Sequence, residues 1–496
     1  MSDSWYKVDN VAKVFLATAS QRDPRVFRVS CTLQEDIDPD TLNTALRATA
    51  QEWPQFQVTL HRGLFWHYFE STDLVPTAQP ENKAPCAPLY TPERRNKLIY
   101  RVTYFGARIN LEMFHAITDG NGGLLYLKSI VRNYLALRHP GQLDDVPSPN
   151  SASAADLVQD SFRNFYSGTK RDNAAKKVKA YRPRGLRLPY DQLQFFEGHL
   201  SAKQVLERCH ALGVSMTSYL GASFMLAIYH DMPALERKKP ICISLPVNLR
   251  NYYPSETARN FFNSVYVTHT LTDADTLETV APVFDAKLKE VLKPENIRAQ
   301  MDEYEKLEHM PGIRPVPLVV KNATVKLFTR LEDRYVTAVV SNMGRVTVPE
   351  ELKPYIHSFA AFSSCKTLFT VVCSYGDDLV LGTASALRST AILQRFYREL
   401  TKAGLDVTLY ATEVEKWIPV RTVISGSVGM PDTARCARTA CPARRGSHTS
   451  RPPRRASTAR RCCTKSWRSC CRRLSSWAAR STFCCWKKHP TAISVC

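Results

Sequence analysis

The chain has 496 residues, 44% of them hydrophobic and 10% aromatic, which supplies a large core and excludes global disorder. Its formal charge of +21 is unevenly placed: residues 425–496 hold 16 Lys and Arg against one acid, a net of +15, whereas residues 1–424 hold 51 against 45, a net of +6. The body is therefore a mildly basic globular protein, and its six scattered cysteines do not read as a disulfide framework.

In chain order, the first strand is expected over Val26–Leu33 (VFRVSCTL). Asp38 as N-cap and Pro39 at the first helical position then open a helix with Leu42, Ala45, Leu46 and Thr49 on one side. Residues 56–60 and 63–70 are aromatic-rich and strand-like. Residues 98–104 and Arg108–Phe114 form a hairpin around Phe105-Gly106-Ala107, and its second strand runs into His115-Ala-Ile-Thr-Asp119-Gly120. A helix follows, with Leu124, Leu127, Val131, Tyr134 and Leu135 as its buried stripe.

Residues 140–190 are rich in Pro, Ser, Asn, Lys and Arg and read as a crossover with one short helix near 154–166. A second half begins with a strand near 194–199. Ser201 and Gln204 then fit a capping box, and Leu200 and Val205 a hydrophobic staple. A helix over 218–229, strands over 240–246, 265–271, 335–340, 367–374 and 379–386, and an amphipathic helix over 391–403 complete the body. The division is 1–145 for a first lobe, 146–190 for a linker, 191–424 for a second lobe and 425–496 for a tail. The N-terminal segment lacks the basic and apolar regions of a secretory signal, and no stretch is apolar enough to span a bilayer, so a cytoplasmic location is expected.

The segment Met113-Phe-His-Ala-Ile-Thr-Asp-Gly-Asn-Gly-Gly123 carries the chemistry. On a helix, His115 and Asp119 would be an ordinary surface pair. At a strand-to-helix junction the strand end fixes the imidazole, Asp119 caps the helix, and Gly120, Gly122 and Gly123 permit close backbone approach. A strand-end histidine held this way is a candidate general base.

His115-Ala-Ile-Thr-Asp119-Gly120 resembles the HxxxDG signature of the chloramphenicol acetyltransferase and condensation-domain superfamily. The opening segment (VFRVSCTLQEDIDPDTLNTALRATAQEWPQFQVTL), Ser244-Leu-Pro-Val-Asn-Leu-Arg250 with Arg259-Asn-Phe-Phe262, and Ser341-Asn-Met-Gly344 are similar to bacterial alcohol acetyltransferase-like members in order and separation. The resemblance covers roughly residues 5–415. It implies a mixed α/β fold of two acetyltransferase-like lobes arranged as a pseudo-dimer around a central tunnel. It also implies transfer of an acyl group, acetyl foremost, from a coenzyme A thioester to a small alcohol or amine acceptor. His115 is then the base, Asp119 pairs with Arg250 from the second lobe, Gly120 supports the turn, and Ser341 and Asn342 face the thioester carbonyl or oxyanion. No bound cofactor, metal or enzyme nucleophile is required. Two departures stand out: Phe114 occupies the position where condensation domains carry a second histidine, and no DFGWG segment is evident. Both argue against a peptide-synthetase role, while an acyl carrier protein remains the alternative bearer of the donor.

Several features have plainer readings. Tyr375-Gly-Asp-Asp378 resembles the paired-aspartate turn of polymerases but is ordinary turn chemistry between two strands. His61 and His67 are structural rather than metal ligands. The tail holds nine cysteines without a CxxC pair and is read as disordered or as a frameshifted translation from about residue 424. If selected, it would bind nucleic acid only through nonspecific charge.

Overall fold

Turn chemistry and burial account for the first elements of the chain. In the computed structural model, which describes residues 5–91, 94–149, 152–167, 178–189, 192–306, 315–412 and 493–495, Val26–Leu33 is a strand buried on both faces. It is the second strand of a five-stranded sheet ordered Ile356–Ser363, Val26–Leu33, Arg108–Phe114, Tyr100–Phe105, Ala78–Pro80. Gly106, at a φ of 53°, makes the hairpin turn between the two strands before the histidine. Asp38 accepts the Thr41 N–H at 2.8 Å and starts the helix Pro39–Glu52. That helix packs against Gly120–Arg138, whose Tyr126, Leu127, Ile130, Val131, Tyr134 and Leu135 are buried, while Leu124 of the expected stripe is only half-buried.

A strand buried on both faces that still carries Arg28 must supply partners for it. Glu81 lies 2.5 Å from one guanidinium nitrogen, and Glu112 accepts from two others at 2.6 and 2.9 Å. Arg101 and the Cys86 N–H complete the Glu112 shell. Such a closed network avoids the cost of an unpaired buried charge.

The second lobe is an eight-stranded sheet ordered Phe262–His269, Ile241–Asn248, Ala338–Arg345, Leu368–Tyr375, Asp378–Ser385, Gln194–Ser201, Val407–Ala411, Ile493–Val495. The last strand comes from the segment read as a tail; the rest of that segment lies outside the described residues. The helix Met216–Asp231 is buried nearly all round, as its apolar sequence requires. The capping box at Ser201 forms only by half. Ser201 accepts the Gln204 N–H at 3.2 Å, but the Gln204 amide turns to Asp406 instead of the cap backbone. Leu200 and Val205 are both buried, as a staple demands.

Contacts at several points bind the lobes. The strand Ile356–Ser363 lies between second-lobe elements in sequence yet pairs with Val26–Leu33 of the first sheet. Behind it the sheets meet so closely that a Cβ at Gly382 would sit 1.9 Å from the Ala361 carbonyl oxygen. Arg108 of the first sheet also donates to Glu197 of the second at 2.7 Å.

Candidate active site

His115 follows directly on the strand Arg108–Phe114, and its N–H is held by the Arg25 carbonyl at 2.8 Å. Arg25 has a φ of 56°, a left-handed conformation that costs a non-glycine residue of order 1 kcal/mol or more. The imidazole lies against Phe15 at 4.3 Å between ring centroids, Phe27 at 5.0 Å and Phe262 at 5.6 Å. Burial among these rings holds its pKa below the ordinary histidine value. The Arg25 charge acts in the same sense, and Asp119 and the Asn260 hydrogen bond oppose it.

The Asn260 side chain decides the tautomer. Its two amide hydrogens are committed, one to the His115 carbonyl at 3.0 Å and one to the buried carboxylate of Asp9 at 3.3 Å. The amide oxygen therefore faces Nδ1 of His115, at 3.2 Å, and can only accept. Nδ1 carries the proton and Nε2 keeps its lone pair.

Asp119 uses both carboxylate oxygens. Oδ1 caps the helix Gly120–Arg138 by accepting the Asn121 and Gly122 N–H groups, each at 3.1 Å. Oδ2 accepts from Arg250 at 2.8 Å and from the Phe261 N–H at 2.9 Å. Arg250 in turn donates to the carbonyls of Thr257 and Arg259 at 2.8 and 2.7 Å, so the ion pair shapes the loop that presents Asn260. Thr118 clamps the same loop through the Ala258 carbonyl at 2.5 Å.

His115 and Asp119 line a cavity of about 2670 Å³ whose walls come from both lobes, including Phe15 and Phe27 of the first and Ser244, Phe262, Ser341 and Met343 of the second. No family model matches the chain. An uncharacterized protein of Mycobacterium tuberculosis H37Rv is 25% identical over 348 residues, 63% of this chain and 77% of that protein. Polyketide synthase associated protein 5 from Mycobacterium tuberculosis superposes with a TM-score of 0.55 at 15% identity, over 80% of this chain and 96% of that one. TRI101 of F. graminearum, solved with coenzyme A and deoxynivalenol, gives 0.55 at 12% identity, over 80% and 98%. The starter condensation domain of rhizomide synthetase, solved with C8-CoA, gives 0.53 at 10% identity, over 80% and 93%. This is the acetyltransferase and condensation-domain fold.

Within that fold the expected site residues fall unevenly. His115, Asp119 and Arg250 are brought together through the loop just described. Ser341 and Asn342, on the strand Ala338–Arg345, reach the wall of the same cavity. Asn342 is already engaged, donating to Thr217 at 2.9 Å and accepting the Gly344 N–H at 2.8 Å. The Ser341 hydroxyl has no side-chain partner among the described residues and is the freer of the two. Gly120 also lines the cavity, but a Cβ there would meet Met343 only at 3.6 Å, an ordinary contact. The close approach belongs to Gly122, where a Cβ would lie 2.1 Å from Thr118 Oγ1, and to Gly123, 2.6 Å from the Phe27 ring.

Asn260, Asp9 and Arg25 surround the imidazole, and the motif does not announce them. Asn260 sits inside the Arg259-Asn-Phe-Phe262 segment of the resemblance, which is the one signal in the sequence for it. The Tyr375–Asp378 segment is a turn: Asp377 accepts from the Ser201 hydroxyl and the Lys203 N–H, both at 2.8 Å, and Asp378 pairs with His199. His61 contacts Glu70 at 2.9 Å, and burial pushes His67 down to about 4. Among the described residues no three His, Cys, Asp or Glu side chains converge to hold a metal ion, and no single helix is long and apolar enough to cross a membrane.

Proposed function

We propose that the protein is an O-acyltransferase that moves an acyl group from a coenzyme A thioester to an alcohol, with His115 as general base. The observation that carries this reading is the imidazole on the interlobe cavity with Nδ1 tied to Asn260. Nε2 takes the proton of the acceptor hydroxyl as its oxygen attacks the thioester carbonyl. The Ser341 hydroxyl, which lines the same cavity, would hydrogen-bond the tetrahedral oxyanion. Collapse expels the coenzyme A thiolate, which recovers the proton from the imidazolium, so no metal and no covalent enzyme intermediate enters the balance. A lowered imidazole pKa keeps the base neutral and ready at physiological pH. Asp119 and Arg250 act by position, since their ion pair is spent on the helix cap and the Asn260 loop. Acetyl-coenzyme A is the favoured donor, and a carrier-protein thioester is the second donor reading.

The test is a matrix of acyl-coenzyme A donors against alcohols and amines, followed by thiol release and by the mass of the product. Ester formation above background hydrolysis supports the reading. Amide products alone, or activity only with an acyl carrier protein, would replace it with the condensation reading.

A further inference from the structure

The cavity that holds His115 extends well beyond the imidazole, out to the helix Leu318–Glu332. Small-molecule pockets usually enclose roughly 300–1,000 Å³; this cavity, open to solvent, spans about 2670 Å³ and on the acyl-transfer reading holds the coenzyme A donor as well as the acceptor. Its wall is continuous from the imidazole outward. Phe15 lies against His115, and Val14 beside it also faces the cavity. Their helix, Asn10–Thr18, packs on the helix Leu318–Glu332, which brings Leu318, Val325 and Phe328 to the same cavity at helical spacing.

That second helix is an unusual one. Leu318 is its only buried residue, and Val320 and Phe328, both cavity-lining, are 52% and 65% exposed. A helix with so little buried apolar surface is normally held by other means. Here its start is tied to the loop carrying Phe65 and Trp66, through the Leu318 N–H to the Leu64 carbonyl at 2.9 Å and Lys321 Nζ to the Phe65 carbonyl at 3.2 Å. Phe65 and Trp66 line the cavity as well. The result is a mainly apolar trough, open to solvent and edged by Lys321, Asn322, Thr324 and Glu332 of the same helix, in the cavity that also holds the base. Isolated exposed apolar residues need no explanation, but a contiguous set joined to a reactive histidine does.

We propose that this trough binds a long aliphatic chain, carried by the acyl donor or by the alcohol, and that Phe328 and Val325 set the preference for it. The inference rests on the acyl-transfer reading for its chemistry but not for its binding. Two substrate series separate the sources of the chain. Acetyl-, octanoyl- and palmitoyl-coenzyme A are compared with ethanol as acceptor, and ethanol is compared with decanol using acetyl-coenzyme A. A long-chain preference in kcat/KM is expected in one series, and Phe328→Asp should cut the ratio of long-chain to short-chain kcat/KM by about tenfold or more. Equilibrium dialysis on the His115→Ala protein, comparing palmitoyl-coenzyme A with coenzyme A itself, reads the donor arm without chemistry. If palmitoyl-coenzyme A binds tighter, and Phe328→Asp abolishes the difference while no pair of substrates gives product, the trough stands and the transfer reading fails. If neither series favours the long chain and palmitoyl-coenzyme A binds no tighter than coenzyme A, the proposal is overturned. It is equally overturned if Phe328→Asp leaves both ratios unchanged and instead abolishes self-association or binding to phospholipid vesicles.

Discussion

Removing one member of the Asp119–Arg250 pair should damage the protein in a way that the geometry dictates. Their side chains are 6% and 11% exposed, so the pair is largely withdrawn from water. Arg250→Ala takes away the counter-ion and also strips donors from the Thr257 and Arg259 carbonyls. Asp119 keeps three N–H donors, from Asn121, Gly122 and Phe261, which moderates the loss. A cost of about 3 kcal/mol, the lower end of the range for stranding one buried charge, is expected. Asp119→Asn preserves the cap through its amide oxygen, but its NH₂ then opposes two donors, Arg250 and the Phe261 N–H, at a cost of about 3 kcal/mol or more. In the double variant the stranded charge and the clash with Arg250 are both gone, leaving only the Asn NH₂ against the Phe261 N–H, and the total loss should fall short of the sum of the singles by about 1–3 kcal/mol. Urea denaturation of the four proteins, followed by near-UV circular dichroism, measures the cycle. Each single variant should also slow transfer, because the loop that presents Asn260 loses its anchor. Strictly additive losses, or singles as stable as the parent, would refute the pairing.

Four further outcomes follow from contacts elsewhere in the structure. Asn260→Ala should lower kcat/KM by about fivefold, the equivalent of one lost hydrogen bond holding the reactive tautomer. Asn260→Asp should move the acidic limb of the pH–rate profile upward by placing a negative charge on the imidazole; in the parent that limb lies below 6.5, and a limb that does not move would sever Asn260 from the base. His199 is buried, which disfavours its charge, but its hydrogen bonds to Asp378 and Glu197 raise its pKa from 6.5 to about 9. Its stabilisation is therefore complete below pH 6.5 and is lost as the pH rises through 9, up to about 3 kcal/mol in all. The melting temperature should fall over that window in the parent and stay flat in His199→Gln, and equal slopes would refute the assignment. Gly122→Ala should unfold the protein or spring the loop from the helix start, because its Cβ has no room between Thr118 and Ala258, and a variant melting within a degree or two of the parent would show that the contact yields.

What the sequence makes legible here is local. The helix start at Asp38-Pro39, the hairpin around Gly106 and the turn at Gly376 depend on cap and turn chemistry within a few residues, and all three stand in the structure. The Asp119–Arg250 pair is legible only through the resemblance, since 131 residues separate its members. Asn260 is harder still: its only mark is membership of the Arg259–Phe262 segment of the resemblance, and its contact with the imidazole exists only once Arg250 has shaped the loop. The strand Ile356–Ser363 has no local sign that it crosses to the first sheet, a choice made by pairing with residues more than 300 positions away. The helix Leu318–Glu332 escapes pattern reading because apolar residues occupy two of its faces, so no single stripe emerges. The half-formed capping box at Ser201 fails for a tertiary reason as well, since Asp406 competes for the Gln204 amide.

The central claim is that His115 removes the acceptor's proton. The most direct measurement is single-turnover thiol release by the parent and His115→Ala with an acyl-coenzyme A and an alcohol, after background thioester hydrolysis is subtracted and the melting temperatures are matched. A drop of roughly 10²-fold or more at unchanged stability is the predicted result. Near-parental thiol release and ester formation by a fully folded His115→Ala protein would contradict the account and remove the imidazole from the reaction.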